Sequence, residues 1–329
     1  MVSRRTLGIM ANEKLTTMAH DHGHSHGSHA PGGGPHPGPH SPGHHGHDHA
    51  DIDWAGMAPL LEAEAELFSP LYTEALTWLA RDVRDPGLVV DAGSGPGVLS
   101  CLLADAFPGA RVVAVDGAEP LLERARARAA RLGAADRFGT LAGELPGVLD
   151  ELEYPADLLW ASRSLHHLGD QRAGLAAFGR RLAPGGTLAI LEGGLPLRFL
   201  PRDIGIGRPG LQARLNVLEE ERFAEMRAGL PGTVAETEDW PGLLNAAGLK
   251  HTGSRSFLLD LPAPASDRVR AYLAVFLGRL REAQGDRLDA GDRAVLDRLL
   301  DPADEASIHR RPDVFLLAAH TVHTAVRPA

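Results

Sequence analysis

From residue 86 onward, short apolar runs and helix-period stretches take turns along the chain. The pair Val89-Val90 leads through Asp91 and Ala92 into a turn with glycine at every second position (Gly93, Gly95, Gly97), then into Val98 and Leu99. This predicts a strand, a tight turn and a helix start. A helix to about Ala106 precedes a second strand at 111–115, which ends in Asp116. Pro120 and Leu121 open an arginine-rich helix to Leu132, and a third strand at 138–142 is closed by Gly143-Glu144-Leu145. Residues 156–162 read as a fourth strand, 173–182 as a helix, Pro184-Gly185-Gly186 as a turn and 187–192 as a fifth strand.

Ahead of this series, Leu60, Leu61, Ala65 and Phe68 recur at helical spacing. Pro70 is placed to open a second helix, whose face continues through Leu71, Ala75, Trp78 and Leu79. Behind the series, 211–230 is helical and charged, 240–247 forms a helix with Leu243 and Leu244 inward, and 254–261 is a sixth strand. Val269, Tyr272, Leu273, Phe276 and Leu280 mark one amphipathic helix, and Val295, Leu296, Leu299 and Leu300 another. The last strand, 314–326, starts apolar on both faces, as a strand buried between helix layers does. The alternation predicts an α/β fold: a doubly wound, mostly parallel seven-stranded sheet, with N-terminal helices and helical insertions around the sixth strand.

Glycine suits the turn at 93–97 because it accepts positive φ and leaves no Cβ between the backbone and a ligand. The N–H groups that open the next helix face whatever occupies the turn. The dinucleotide fingerprint is G-x-G-x-x-G, and here Val98 stands where its third glycine would fall. The spacing G-x-G-x-G, with Asp91 two residues before the first glycine, resembles motif I of the class I S-adenosylmethionine-dependent methyltransferases. A second, independent likeness to that family is Arg180-Arg181-Leu182-Ala183-Pro184-Gly185-Gly186 before an apolar strand, about ninety residues further on.

The resemblance implies a Rossmann-like methyltransferase sheet whose closing strand runs antiparallel beside the fifth. It also implies that S-adenosylmethionine lies against Asp91, Ala92, Gly93, Ser94, Gly95 and Gly97 of the turn, Asp116 and Gly117 after the second strand, Glu144 and Leu145 after the third, and Ser162 at the end of the fourth. An acid ending the second strand can accept from both ribose hydroxyls at once. The other use of Asp116, capping the next helix, is less needed because Pro120 and Leu121 already supply the helix start.

The carboxyl end of the fourth strand is where ligands collect in open parallel sheets. Ser162-Arg163-Ser164-Leu165-His166-His167 follows there, and many small-molecule methyltransferases carry a similar run between cofactor and acceptor. His166 and His167 are the imidazoles placed to act as a general base, imidazole being the side chain that exchanges protons near neutral pH. The competing reading is that one caps or packs and the other lies at the surface. The Asn-Pro-Pro-Tyr or Asp-Pro-Pro-Tyr strand end that marks methylation of base amino groups is replaced here by Ala161-Ser162-Arg163-Ser164. In relatives of this kind the N-terminal helices often form a lid, so Trp54 and Tyr72 are candidates to line a pocket or to serve as core.

Composition narrows the partners. A net charge of −10 argues against a nucleic-acid backbone. No run approaches the roughly 18 apolar residues that span a bilayer. Cys101 is the sole cysteine, which excludes a disulfide within the chain and points to a reducing, cytoplasmic setting. Arg4-Arg5 looks like a twin-arginine export signal but lacks the apolar segment after it, and Met10 and Met18 leave the natural start open. Residues 20–49 hold eleven of the 17 histidines among glycine, proline, serine and aspartate. Such a segment has nothing to bury and is expected to be disordered, and imidazoles such as His20, His22, His24 and His26 are expected to chelate Zn²⁺ or Ni²⁺ adventitiously.

The expected organisation is a His/Gly/Pro-rich tail (1–50), a helical lid (51–85), an S-adenosylmethionine-binding core (86–200) and the rest of the sheet with a helical substrate cap (201–329). The expected function is methyl transfer to an intracellular small molecule by in-line displacement. The alternatives are a peptide or protein acceptor, or a metal-binding protein acting through its tail.

Overall fold

The computed structural model describes residues 53–329. The expectations for residues 1–50, chelation by His20, His22, His24 and His26 included, lie outside the described residues. In chain order the elements are α1 (Trp54–Leu67), α2 (Ser69–Leu79), β1 (Leu88–Ala92), α3 (Val98–Ala106), β2 (Arg111–Asp116), α4 (Glu119–Arg131), β3 (Phe138–Ala142), β4 (Ala156–Ser162), α5 (Gln171–Arg180) and β5 (Leu182–Arg198). They continue with α6 (Leu211–Gly229), α7 (Trp240–Ala246), β6 (Lys250–Leu261), α8 (Asp267–Gln284), α9 (Ala290–Leu300) and β7 (Leu316–Val326).

The seven strands form one sheet in the order β3-β2-β1-β4-β5-β7-β6. The pairs from β3 to β5 are parallel, whereas β7 runs antiparallel to both β5 and β6. The strand order reverses between β1 and β4, and the crevice beyond the carboxyl ends at such a reversal is the usual ligand site of an open sheet. Successive side chains point to opposite faces. Val89, Leu158, Trp160, Ala189 and Leu191 join the layer containing α2, α3, α8 and α9. Val90, Ala92, Leu159, Ala161, Leu188 and Ile190 join the layer of α5 and α7, with Phe178, Leu243 and Leu244. Burial on both faces is why these strands read in the sequence as continuous apolar runs.

The structure departs from the sequence reading mainly in the strands beyond β4. β5 extends well past residues 187–192 at both ends. Pro184-Gly185-Gly186 is absorbed as a bulge within it, since Ala156 pairs with Leu182 but Leu158 with Thr187. A second irregularity at Gly193 and Gly194, with φ of 71° and 123°, carries the strand on beside β7. Glycine is required at 194, where a Cβ would run into the carbonyl of Ala319. β6 begins at Lys250 and not at 254, because pairing with β7 orders a polar stretch that shows no alternation of its own. α5 begins at Gln171, capped by Asp170, whose Oδ1 accepts from Ala173 N at 2.8 Å.

Helix α1 is fastened at several partly exposed points. Glu62 meets Arg124 and Arg128 of α4 at 3.0 and 3.6 Å, and Glu66 meets Arg128 and Arg268 of α8, each at 2.6 Å. Pairs of this kind are worth up to about 1 kcal/mol each, and they add to the apolar packing of Ala58, Leu61 and Leu67.

Candidate active site

The turn after β1 is bonded to the neighbouring strand through its backbone. Gly93 N and Ser94 N both donate to the Val115 carbonyl, at 2.8 and 2.9 Å, and Gly97 N donates to the Ser94 carbonyl at 3.2 Å. Its three glycines all have positive φ (81°, 52° and 75°) but serve different ends. A Cβ at Gly93 would lie 2.6 Å from Cβ of Ser164, and one at Gly97 would lie 2.7 Å from Cα of Ala125 in α4. One at Gly95 would meet nothing within 4 Å. Gly97 therefore serves the close approach of α3 to α4, and Gly95 is where the turn opens onto space that a cofactor would fill.

Asp116 stands beside that opening. Its Oδ2 accepts from Gly95 N at 2.8 Å and its Oδ1 from Ala118 N at 2.9 Å. The contact to Ala118 N closes a local turn two residues on and leaves the first turn of α4 without a side-chain cap, so Asp116 is not the cap of that helix. A carboxylate offers about four acceptor positions, so it can serve these amides and a pair of ribose hydroxyls at once. Glu144 reaches the same place from β3, its Oε1 lying 2.6 Å from where a Cβ on Gly117 would be, and Leu145 Cδ1 lies 3.8 Å from the corresponding point on Gly93. The turn, Asp116-Gly117 and Glu144-Leu145 therefore line one stretch of crevice, and this donor set fits a nucleoside with a charged amino-acid tail. Trp54 packs with Leu61 against Ala118 and Leu121.

Asp91 acts from behind the turn. It is 1% exposed, and its Oδ2 accepts from Ser100 Oγ at 2.5 Å, which ties β1 to α3. Burial pushes its carboxyl up to about 7; the Ser100 hydrogen bond opposes this and the charge of Asp116 adds to it. Ala92 contributes its carbonyl, which accepts from Ser164 Oγ at 3.1 Å and joins the turn to the segment after β4.

That segment carries the second half of the site. After the half-buried Ser162, Arg163 takes a φ of 52° while its N donates to the Leu191 carbonyl at 3.0 Å. Its guanidinium pairs with Glu64 of α1, and its side chain stays 48% exposed. Tyr72, Tyr272 and His320 all lie within the field of the Arg163 charge. His320 stacks on Phe68 with centroids 5.0 Å apart and planes 5° apart, and its buried Nδ1 has no hydrogen-bond partner among the described residues. Burial and the Arg163 charge hold His320 down to about 4, so the ring is neutral. Burial pushes Tyr72 up to about 12.

His166 and His167 are not equivalent. His166 Nδ1 lies 3.1 Å from Oε2 of Glu192, a buried acid at β5 whose Oε1 accepts from Leu165 N at 2.9 Å. Its ring packs between His167 (4.3 Å) and Phe223 of α6 (5.5 Å). Arg227 of α6 donates to the carbonyls of His166 and Leu168 at 2.8 and 2.5 Å. His167 lies at the surface. Among the described residues no group of three or more His, Cys, Asp or Glu side chains is arranged to hold a metal ion, and no helix is long and apolar enough to cross a membrane.

The sequence reading singled out the turn, Asp116, Gly117, Glu144 and Leu145, and the structure brings these together. It passed over Glu64, Arg163, Glu192, Tyr272 and His320. Glu192 had a usable signal, since it directly follows the apolar run 188–191 much as Asp116 follows 112–115. Arg163 lay inside the run already chosen but was discounted with the many other arginines.

Comparison with known proteins bears on the family. The family profile described as "Methyltransferase domain" matches residues 90–188. A trans-aconitate 2-methyltransferase of Methylobacterium radiotolerans is 33% identical over 247 residues, covering 71% of this chain and 86% of that protein. An uncharacterized protein of Synechococcus is 34% identical over 149 residues, which span 43% of this chain but only 32% of the relative. A putative methyltransferase of Haloferax volcanii, solved in complex with the Trm112 activator, overlaps 84% of this chain and 98% of its own at 20% identity and a TM-score of 0.47. With a relative matched over nearly its whole length, and the glycine turn and strand order described above, the chain belongs to the class I S-adenosylmethionine-dependent methyltransferases.

Proposed function

We propose that this protein transfers the methyl group of S-adenosylmethionine to a small-molecule acid. The observation that carries the reading is the crevice over Gly95, flanked by Asp116 and Glu144. Relatives that carry the name trans-aconitate 2-methyltransferase support an acceptor bearing carboxylates. When bound, the cofactor supplies a methyl on a sulfonium sulfur, a leaving group already activated by its positive charge.

The work left to this chain is alignment and exclusion of water. Asp116 and the turn fix the cofactor end, while α1 and α2 cover the acceptor end. An ionised carboxylate oxygen takes the methyl by in-line displacement and gives up no proton, so it needs no base. His166 enters for an acceptor that arrives protonated, where Glu192 would steady the imidazolium formed; the 3.1 Å contact between them favours this as a second reading.

Turnover decides between the two. Purified protein is supplied with S-adenosylmethionine and trans-aconitate, a phenol or an amine, and S-adenosylhomocysteine is followed. The expected result is product with the acid, and His166→Ala within about threefold of wild type. A loss of about a hundredfold in His166→Ala would make His166 the base and the acceptor a protonated one. Cofactor binding without product from any acceptor would remove the enzyme reading.

A further inference from the structure

The groups around Arg163 form an anion site with a protein carboxylate already in it. Arg163 follows the last residue of β4, at the reversal of strand order where acceptor and cofactor must meet. A guanidinium keeps its charge at any physiological pH and presents a planar fork matched to a carboxylate. Its partner, Glu64, comes from α1 and is the acid of that helix directed to the sheet edge, while Glu62 and Glu66 are engaged with α4 and α8. Tyr72 at 2% exposure, Tyr272 at 7% and the neutral His320 complete the surroundings. Apart from Glu64, none of these groups is a carboxylate.

We propose that Arg163 anchors a carboxylate of the acceptor, and that Glu64 holds the acceptor's place on Arg163 until it arrives; this rests on the small-acid reading above. Three observations converge on it. The Nδ1 of His320 is a buried polar atom without a hydrogen-bond partner among the described residues, in a ring that touches Phe68 and Tyr72, and a buried polar atom left unsatisfied calls for an explanation such as a ligand group. Arg163 holds a left-handed backbone conformation that a residue with a side chain adopts at some cost, and such strain gathers at ligand-binding positions. The exchange is also cheap, because α1 keeps its apolar packing through Ala58, Leu61 and Leu67 and its other ion pairs when Glu64 lets go of Arg163, so releasing Glu64 does not break a buried core. A neutral or cationic acceptor could not replace Glu64 without leaving the Arg163 charge unmatched.

Calorimetric titration of trans-aconitate, citrate and their neutral trimethyl esters into protein saturated with S-adenosylhomocysteine tests this. The acids should bind and the esters should not. Glu64→Gln should tighten acid binding about tenfold, because the competing carboxylate is gone while its shape remains. Arg163→Gln should weaken it about thirtyfold or more, and Arg163→Lys should fall between, keeping the charge and losing the fork. Affinity for S-adenosylhomocysteine should stay within about twofold in all three variants, which reports that each is folded. Acid affinity unchanged in Glu64→Gln or in Arg163→Gln, esters binding as well as acids, or no binding of either acid to wild type and Glu64→Gln would overturn the proposal. Failure of wild type to bind S-adenosylhomocysteine would instead overturn the cofactor reading, so the two failures are distinct.

Discussion

Between β1 and β3 the crevice is made largely of backbone: the amides of Gly93, Ser94 and Gly95, and short loops that place Asp116 and Glu144 within a few ångströms of the turn. Between β4 and β7 it is made of long side chains converging from α1, α2, α8 and β7 on Arg163. The first region has few alternatives available to it, because its shape follows from main-chain hydrogen bonds and positive φ values. The second is held by ion pairs and ring contacts that can be exchanged one at a time. A cofactor common to a whole family suits the first kind of construction, and an acceptor that differs between members suits the second.

The strongest way to sharpen that contrast is Gly97→Val. It places a branched side chain at φ 75° and against Ala125, so the expected cost is about 2 to 5 kcal/mol of folding stability, read by urea unfolding. Arg163→Gln, by comparison, should unfold near the wild-type midpoint. A Gly97→Val protein as stable as wild type would break the claim that this half is fixed by its backbone.

Next in size is the pH dependence contributed by Asp91. Its native carboxyl titrates at about 7 against an ordinary value of 3.8, so the folded state keeps a proton that the unfolded chain releases. Stability should therefore fall as pH rises from about 4 to 7 and level off above, by at most about 4 kcal/mol. Asp91→Asn should flatten this fall, since the amide can still accept from Ser100. An identical pH–stability curve for the variant would show that Asp91 ionises freely in the fold.

Smaller again is Asp116→Ala, which removes an acceptor from ribose and from Gly95 N. The expected loss is about 2 to 3 kcal/mol of S-adenosylhomocysteine affinity by calorimetry, a factor of roughly 30 to 150. Unchanged affinity would take Asp116 out of the site and leave the turn as plain structure.

How much of this the sequence disclosed follows the same division. β1, β2, β4 and the glycine turn were legible because each is a contiguous run whose pattern reflects burial on both faces or the need for positive φ, and the half-buried edge strand β3 was legible from its place between a helix and the Gly143 turn. The helix spacings around Phe68, Leu243 and Leu273 were legible for the same reason. β5 beyond Glu192 was not, because Gly193 and Gly194 interrupt its alternation and only pairing with β7 makes it a strand. Nor was the cluster around Arg163: Glu64 and Arg163 are 99 residues apart, and nothing local to either shows the other. Tyr72 was noticed as an aromatic on a helix, but whether it faced core or ligand depended on Arg163 and His320, which only the tertiary structure brings to it. Gly97 was read with its neighbours as a ligand position, yet its missing side chain makes room for Ala125.

The most direct test of the central claim is amide hydrogen exchange with and without S-adenosylhomocysteine. The account predicts slowed exchange at residues 93–97, 116–118 and 143–145, with 163–167 little changed until an acid is added. Binding that leaves 93–97 and 116–118 exchanging as in the ligand-free protein, or that protects only segments elsewhere, would contradict it.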